Sequence, residues 1–293
     1  MSARGSVVSP PAVPGSAAPT PVQVMAQARA ENFPVASRFL PRRERSHMLA
    51  LYGFARLVDD AGDEAAGDRL ELLDWLDDEL EKVYRGCPTH PLMRRLAPTV
   101  RECRIPAEPF RRLIDANRQD QRVTIYETID DLLGYCELSA NPVGHLVLHV
   151  FGTATPERVR LSDAICSGLQ LTEHWQDVAE DAARGRIYLP AADMRRFGCA
   201  EADLAGPPTS ARLRALIAFE VDRARALLDD GLPLVRTLRG RPALAVAAFV
   251  AGGRAALDAI ERADHDVLGG PPRPSRRHQG RALLATLARA RAR

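Results

Sequence analysis

The chain has 293 residues, 46% of them hydrophobic and 27% charged, with a formal net charge of +2. That length buries a sizeable core as one large domain or two small ones. So small a charge makes no electrostatic case for nucleic acid, and no nucleic-acid-binding signature is present either, so no nucleic-acid partner is expected.

Five cysteines (Cys87, Cys103, Cys136, Cys166, Cys199) lie far apart without a CxxC pair, which argues against a disulfide scaffold and fits a reducing cytosol. Lys82 is the only lysine, so every other basic side chain is an arginine. Arginine presents phosphate with a rigid fork of donors, although an alanine-rich, GC-rich coding bias explains the choice equally well. No run of 18 apolar residues occurs, so no transmembrane helix is expected and the longest apolar run, near Ala243–Ala251, reads as a core helix.

Residues 1–20 are rich in Pro, Ala, Ser and Gly and read as a disordered tail, with one helical domain over 21–293. Strand signals are nearly absent and helical periodicity runs throughout, so the fold class is all-α. The pattern predicts helices over 43–65, 67–85, 90–102, 107–120, 127–152, 157–184, 208–238, 241–266 and 277–292. Pro41, Gly86–Pro88, Gly185 and Gly206–Pro208 mark the breaks, and Asp130 and Asp131 favour a helix N-terminus. The helices over 43–65, 127–152 and 157–184 are apolar around much of their circumference, as helices in the middle of a bundle are.

Two acidic motifs stand on these apolar helices. In Asp59-Asp60-Ala61-Gly62-Asp63-Glu64, Asp59 and Asp63 are four apart and share a helix face. Like charges at this spacing repel, and they sit at the helix end where the dipole disfavours them. Either a cation compensates, with hard oxygen ligands suiting Mg²⁺, or this is a solvated acidic helix end. Asp177 and Asp181 repeat the pair, with Glu173 one turn earlier on the same stripe. Facing each other across a bundle, the two pairs make a clamp of two or three metal ions for a diphosphate.

With these motifs, Tyr52-x-x-x-Arg56-x-x-Asp59-Asp60-x-x-Asp63 and Gln170-Leu171-Thr172 through Asp177-x-x-x-Asp181, then Arg184-Gly185-Arg186-Ile187-Tyr188-Leu189-Pro190, the chain resembles the squalene/phytoene synthase family over roughly residues 28–270. The resemblance implies a class I isoprenoid synthase helical bundle with a central cavity. Within the family it most resembles the HpnC type of hopanoid biosynthesis, the hydroxysqualene synthases. The stretches that carry this are 31–38 (Glu-Asn-Phe-Pro-Val-Ala-Ser-Arg), Ser139–Gly144, and Gln176, where phytoene synthases usually carry arginine. At position 173 the family's usual ligand is asparagine, and here it is Glu173.

That resemblance implies an enzyme that ionises presqualene diphosphate with Mg²⁺ (two or three ions) and without NADPH, and captures water to give hydroxysqualene. Two alternatives stay open: head-to-head condensation of prenyl diphosphates such as farnesyl diphosphate, to presqualene diphosphate or phytoene, and a non-catalytic assembly factor of the same fold. The implied metal ligands are Asp59, Asp63, Glu173, Asp177 and Asp181, and the implied diphosphate-binding groups are Arg56, Arg186, Gln170 and Tyr52. Tyr188 and Asn141 complete the expected catalytic set.

Each has a plainer reading. Arg56 pairs with Asp59 three residues on, Arg186 and Tyr188 sit on an ordinary loop, Asn141-Pro142 simply kinks a helix, and Gln119 and Asp120 either face the cavity or end a helix. His145 and His149 are four apart like a zinc pair but lack an obvious third ligand. The arginine-rich stretch 273–293, with Leu283, Leu284 and Leu287 at helical spacing, either rests on a membrane surface or forms a solvated terminal helix. The expected location is cytoplasmic, with a peripheral contact to the inner membrane face and hand-off to other hopanoid-pathway enzymes as further expectations.

Overall fold

A computed structural model describes residues 40–65 and 67–292; the expected tail over 1–20 and the diagnostic stretch 31–38 lie outside the described residues. The described residues are helical, and their one β-bridge is isolated, Ile125 beside Ile187. In chain order the helices are α1 (Arg42–Asp59), α2 (Arg69–Arg85), α3 (Pro91–Cys103), α4 (Glu108–Asp120), α5 (Ile129–Ser139), α6 (Asn141–Val150) and α7 (Pro156–Gln176). There follow α8 (Val178–Ala183), α9 (Ala191–Arg196), α10 (Ala211–Gly231), α11 (Leu234–Thr237), α12 (Gly240–Arg262) and α13 (Arg276–Ala292).

The helix ends follow local chemistry. Asp68 caps α2 by accepting from the backbone N–H groups of Leu70 and Glu71. Gly86 closes α2 at φ +82°, a conformation only glycine adopts without strain. Thr128 and Asp131 form a reciprocal capping box on α5: Thr128 Oγ1 accepts from the Asp131 N–H, and Asp131 Oδ2 accepts from the Thr128 N–H.

Four long helices expected from periodicity are interrupted, and one of them, over 208–238, parts at Leu232-Pro233 into α10 and α11. The first leaves α geometry after Asp59 and widens into one π turn, Asp60–Glu64, closed by Ala65 N–H donating to the Asp60 carbonyl. The segment 127–152 breaks at Ala140, where φ −110° and the Asn141-Pro142 step divide α5 from α6. The segment 157–184 breaks at Asp177. The stretch 191–204, expected to be irregular, holds α9 and a 3₁₀ turn, Glu201–Leu204.

α7 is the central shaft, packing against α5, α6, α10, α11 and α12. Its crossing with α10 depends on Gly231, where a Cβ would lie 2.7 Å from the Leu161 carbonyl oxygen. Trp175 on α7 is fully buried and donates its indole N–H to the Glu220 carbonyl at 3.1 Å. Side chains of this size bury about 1.5–3 kcal/mol each.

The apolar core falls into two clusters. One is built on α1–α4 with α6, around Phe54, Leu73, Met93 and Ile114. The other is built on α5, α7, α10 and α12, around Leu132, Trp175, Leu216 and Ile260. The first acidic motif ends α1 in one cluster; the second ends α7 in the other. α12 is long and apolar enough to cross a membrane by length and composition, yet 67% of its apolar window is buried, as in a core helix. α13 packs on α12, with Leu283 and Leu287 turned to the core and Leu284 exposed.

Candidate active site

The first motif is organised by arginines from two places. Arg56 Nε lies 2.6 Å from Asp60 Oδ1, and its Nη2 donates to Glu64 Oε1 at 2.9 Å. The partner four residues on is thus Asp60, which is buried, and not Asp59 as the i, i+3 reading expects. Asp63 Oδ1 instead accepts from Arg186 Nη2 at 2.8 Å, across 123 residues of sequence. Asp59 accepts from Asn117 Nδ2 on α4 at 3.4 Å.

Asp59 is accessible to solvent but ringed by protein on most sides, and this desolvation pushes its carboxyl up to about 7. The Asn117 hydrogen bond and the Arg56 charge oppose the rise; the Asp63 and Asp60 charges add to it.

At the second motif the α7 ladder ends at Gln176, yet the stripe survives the break. Asp177 N–H donates to the Glu173 carbonyl at 3.0 Å, and Asp181 N–H donates to the Asp177 carbonyl at 2.9 Å. Burial raises the Asp177 carboxyl to about 6, and the Glu173, Asp181 and Glu180 charges push the same way. Gln176 turns from the acids and donates to the Pro272 carbonyl, tying the shaft to the chain between α12 and α13.

The segment after α8 is stitched to the segment after α4. Ile187 N–H donates to the Thr124 carbonyl at 2.7 Å, and Ala191 N–H to the Tyr126 carbonyl at 2.9 Å. This pairing places Arg186 on the first motif and turns Tyr188 inward. Tyr188 stacks on His174, with ring centroids 3.7 Å apart, and lies 5.9 Å from Tyr135 and 6.0 Å from Tyr126. Tyr135 donates to Asp120 Oδ2 at 2.8 Å, and Gln119 donates to the Tyr126 hydroxyl. Asp120 therefore both ends α4 and faces this cluster; burial lifts its carboxyl to about 6 against the Tyr135 hydrogen bond. Burial also raises the three tyrosine hydroxyls, which stay protonated.

His174 Nδ1 lies 3.8 Å from Asp181 Oδ2, and its Nε2 faces the Gln170 amide at 3.2 Å. Burial works against the Arg186 charge, and Asp63, with help from Tyr188 and Asp120, more than offsets it. A small, partly open cavity is lined here by His174, Asp181, Arg186, Tyr188 and neighbouring apolar groups.

Other sequence candidates fall elsewhere. Asn141 is buried and accepts from Ser167 Oγ on α7 at 3.0 Å, which fixes the start of α6. Gly144 lets the same two helices close: a Cβ would lie 2.2 Å from Ser162 Oγ and 2.7 Å from Cys166 Sγ. Tyr52 is buried in α1. His145 pairs with Asp163 at 2.6 Å, and among the described residues no three His, Cys, Asp or Glu groups gather as a metal cluster, so the zinc reading of His145 and His149 lapses.

The acidic donor set nevertheless fits magnesium. That ion takes one or two protein carboxylates and fills its octahedron with water and substrate phosphate oxygens, so it needs no closed protein cage. The strained protonation of Asp59 and Asp177 is what a nearby cation relieves. Sequence reasoning missed His174, although it lies inside the second motif, and missed Tyr126, Tyr135 and Asn117, whose roles arise only from packing.

Comparison with known proteins gives this arrangement its context. The squalene/phytoene synthase family model matches residues 26–280. A phytoene synthase of Arthrospira platensis is 33% identical over 263 residues, covering 84% of each chain. A hydroxysqualene synthase of Rhodopseudomonas palustris is 36% identical over 215 residues, covering 72% of each. The crystal structure of squalene synthase HpnC from Alicyclobacillus acidocaldarius is 45% identical with a TM-score of 0.79, covering 83% of this chain and 92% of that one. A dehydrosqualene synthase structure, 24% identical with a TM-score of 0.84, shares the fold over 93% of this chain and 97% of its own. Members of the family act on prenyl diphosphates, and with nearly all of its length from α1 to α13 inside the matched region, this chain belongs to the squalene/phytoene synthase family.

Proposed function

We propose that the protein is a hydroxysqualene synthase: it ionises presqualene diphosphate, lets the cyclopropylcarbinyl cation rearrange, and quenches it with water, releasing diphosphate. The observation that carries this reading is the 45% identity to the HpnC structure over 83% of the chain. The 36% identity to a hydroxysqualene synthase supports it.

Asp59, Asp63, Glu173, Asp177 and Asp181 are the groups to hold magnesium, two or three ions in number. Bound there, magnesium would neutralise charge developing on the departing diphosphate. The protein's own groups do the rest. Arg186, already at the rim of the cavity on Asp63, adds its fork of donors to the leaving group, and Arg56, Gln170 and Tyr52 are the further candidates to bind it. Tyr188 and His174 line the cavity with Tyr135 and Tyr126 packed against Tyr188, and an aromatic wall of this kind excludes water early and favours a passing carbocation. Asn141, held by Ser167, sets the α5–α6 break.

The second reading, head-to-head condensation, draws on the phytoene synthase relative, 33% identical over a longer span. Retention of both acidic pairs weighs against a non-catalytic assembly factor. Incubating the purified protein and Mg²⁺ with presqualene diphosphate, or with farnesyl diphosphate, without NADPH, separates the readings. Hydroxysqualene from presqualene diphosphate alone is expected; efficient conversion of farnesyl diphosphate to presqualene diphosphate promotes the second. Asp59→Asn and Asp177→Asn should each abolish most turnover in a folded protein.

A further inference from the structure

The four acids of the first motif are not held alike. Asp60 and Glu64 lie on Arg56, and Asp63 lies on Arg186. Asp59 is hydrogen-bonded by a neutral group, the Asn117 amide, at 3.4 Å. An arginine at that place would cancel the charge that a cation needs; an amide fixes one oxygen and cancels nothing.

The amide has little freedom. Asn117 is 7% exposed. Its Nδ2 also donates to the Leu113 carbonyl at 3.2 Å, so two acceptors face the nitrogen and settle which way the amide points. Its Oδ1 rests against Gly62, where a Cβ would come within 2.1 Å. Gln121 Nε2 then bridges the Asn117 and Gly62 carbonyls, at 3.0 Å to each, and so ties α4 to the π turn. Asp59 stands where α1 passes into the π turn, the point at which the helical ladder changes register.

We propose that Asn117 is a positioning residue that holds Asp59 at one carboxylate oxygen and leaves its charge free to bind a divalent cation. This rests on the reading of Asp59 as a metal-binding group. Asn117 does not touch substrate or metal itself; it acts through Asp59.

The test is a double-mutant cycle read by direct binding, with Mn²⁺ and inorganic pyrophosphate as the probe and free Mn²⁺ followed by electron paramagnetic resonance. Asn117→Ala is expected to weaken Mn²⁺ binding about ten-fold, the scale of one lost hydrogen bond to a charged group. In an Asp59→Asn background the same change should make no further difference. Asn117→Leu, closer in volume, serves if the alanine variant fails to fold, and circular dichroism without metal checks each variant.

Unchanged Mn²⁺ affinity in a folded Asn117 variant overturns the proposal while leaving the metal reading intact. Equal loss in the presence and absence of the Asp59 carboxylate overturns it too, because Asn117 would then act on the fold at large. A wild-type protein that takes up no Mn²⁺ with pyrophosphate overturns both.

Discussion

Arg186 donates to Asp63 at 2.8 Å and thereby joins the loop after one acidic motif to the end of the other, across the seam between the two apolar clusters. The pair is partly exposed, so its contribution to stability is small, within about 1 kcal/mol. Its expected importance is for turnover. Arg186→Gln should lower kcat by roughly 100- to 1,000-fold, the scale of one lost charge-stabilising donor. Steady-state product formation set beside a urea unfolding curve checks both halves of this expectation.

A second prediction concerns Gln176, which donates to the Pro272 carbonyl. Gln176→Ala removes the tie between the shaft and the chain leading to α13. Global stability should fall by about 1 kcal/mol, while limited proteolysis should cut faster within 263–275. A proteolytic pattern identical to the wild type would show that the tie does not hold that segment.

Glu220 supplies a pH dependence away from the site. It is fully buried, and burial raises its carboxyl to about 7 even though Arg223 Nη1 donates to both of its oxygens, at 3.0 and 2.8 Å. The folded protein therefore holds this proton more tightly than the unfolded chain does. The contribution to stability is complete below the ordinary 4.5 and is lost as pH rises through about 7. Glu220→Gln should lessen the fall in the urea midpoint between about pH 5 and about pH 8. An equal fall in variant and wild type would mean that the carboxyl titrates alike in both states.

Gly144→Ala tests the closeness of α6 and α7. Its methyl group would meet Ser162 Oγ at 2.2 Å and Cys166 Sγ at 2.7 Å, so the helices must part. A destabilisation of about 1–3 kcal/mol is expected, with Ser162→Gly in the same chain recovering part of it. Thermal unfolding of the single and double variants gives the answer.

Much of this molecule was legible because its helices obey the 3.6-residue period, and α2, α3, α4 and α12 start or stop within a few residues of the expected bounds. The break at Ala140 had a signal in Asn141-Pro142, though the pattern was read as one kinked helix. The break at Asp177 had none, since Gln176-Asp177-Val178 contains neither Gly nor Pro. Both acidic pairs were visible from spacing alone. Their partners were not: Asn117 meets Asp59 over 58 residues, and Arg186 meets Asp63 over 123. Such contacts depend on how helices cross, which local periodicity does not encode. Tyr126 was hidden for another reason, because it lies on an irregular segment ordered by pairing with residues 187–191.

The interruption at Asp177 divides labour along one stretch of chain. Up to Trp175 the shaft is clamped by α10 and cannot yield without dislodging a buried indole. Beyond Gln176 the short α8 is a separate piece, joined through a single non-helical residue and leading into the loop that carries Arg186 and Tyr188. Efforts to alter which prenyl diphosphate is accepted are best aimed at residues 178–190 other than Asp181, Arg186 and Tyr188, and at their stitching partners 121–128, where sequence can change without loosening the clamp.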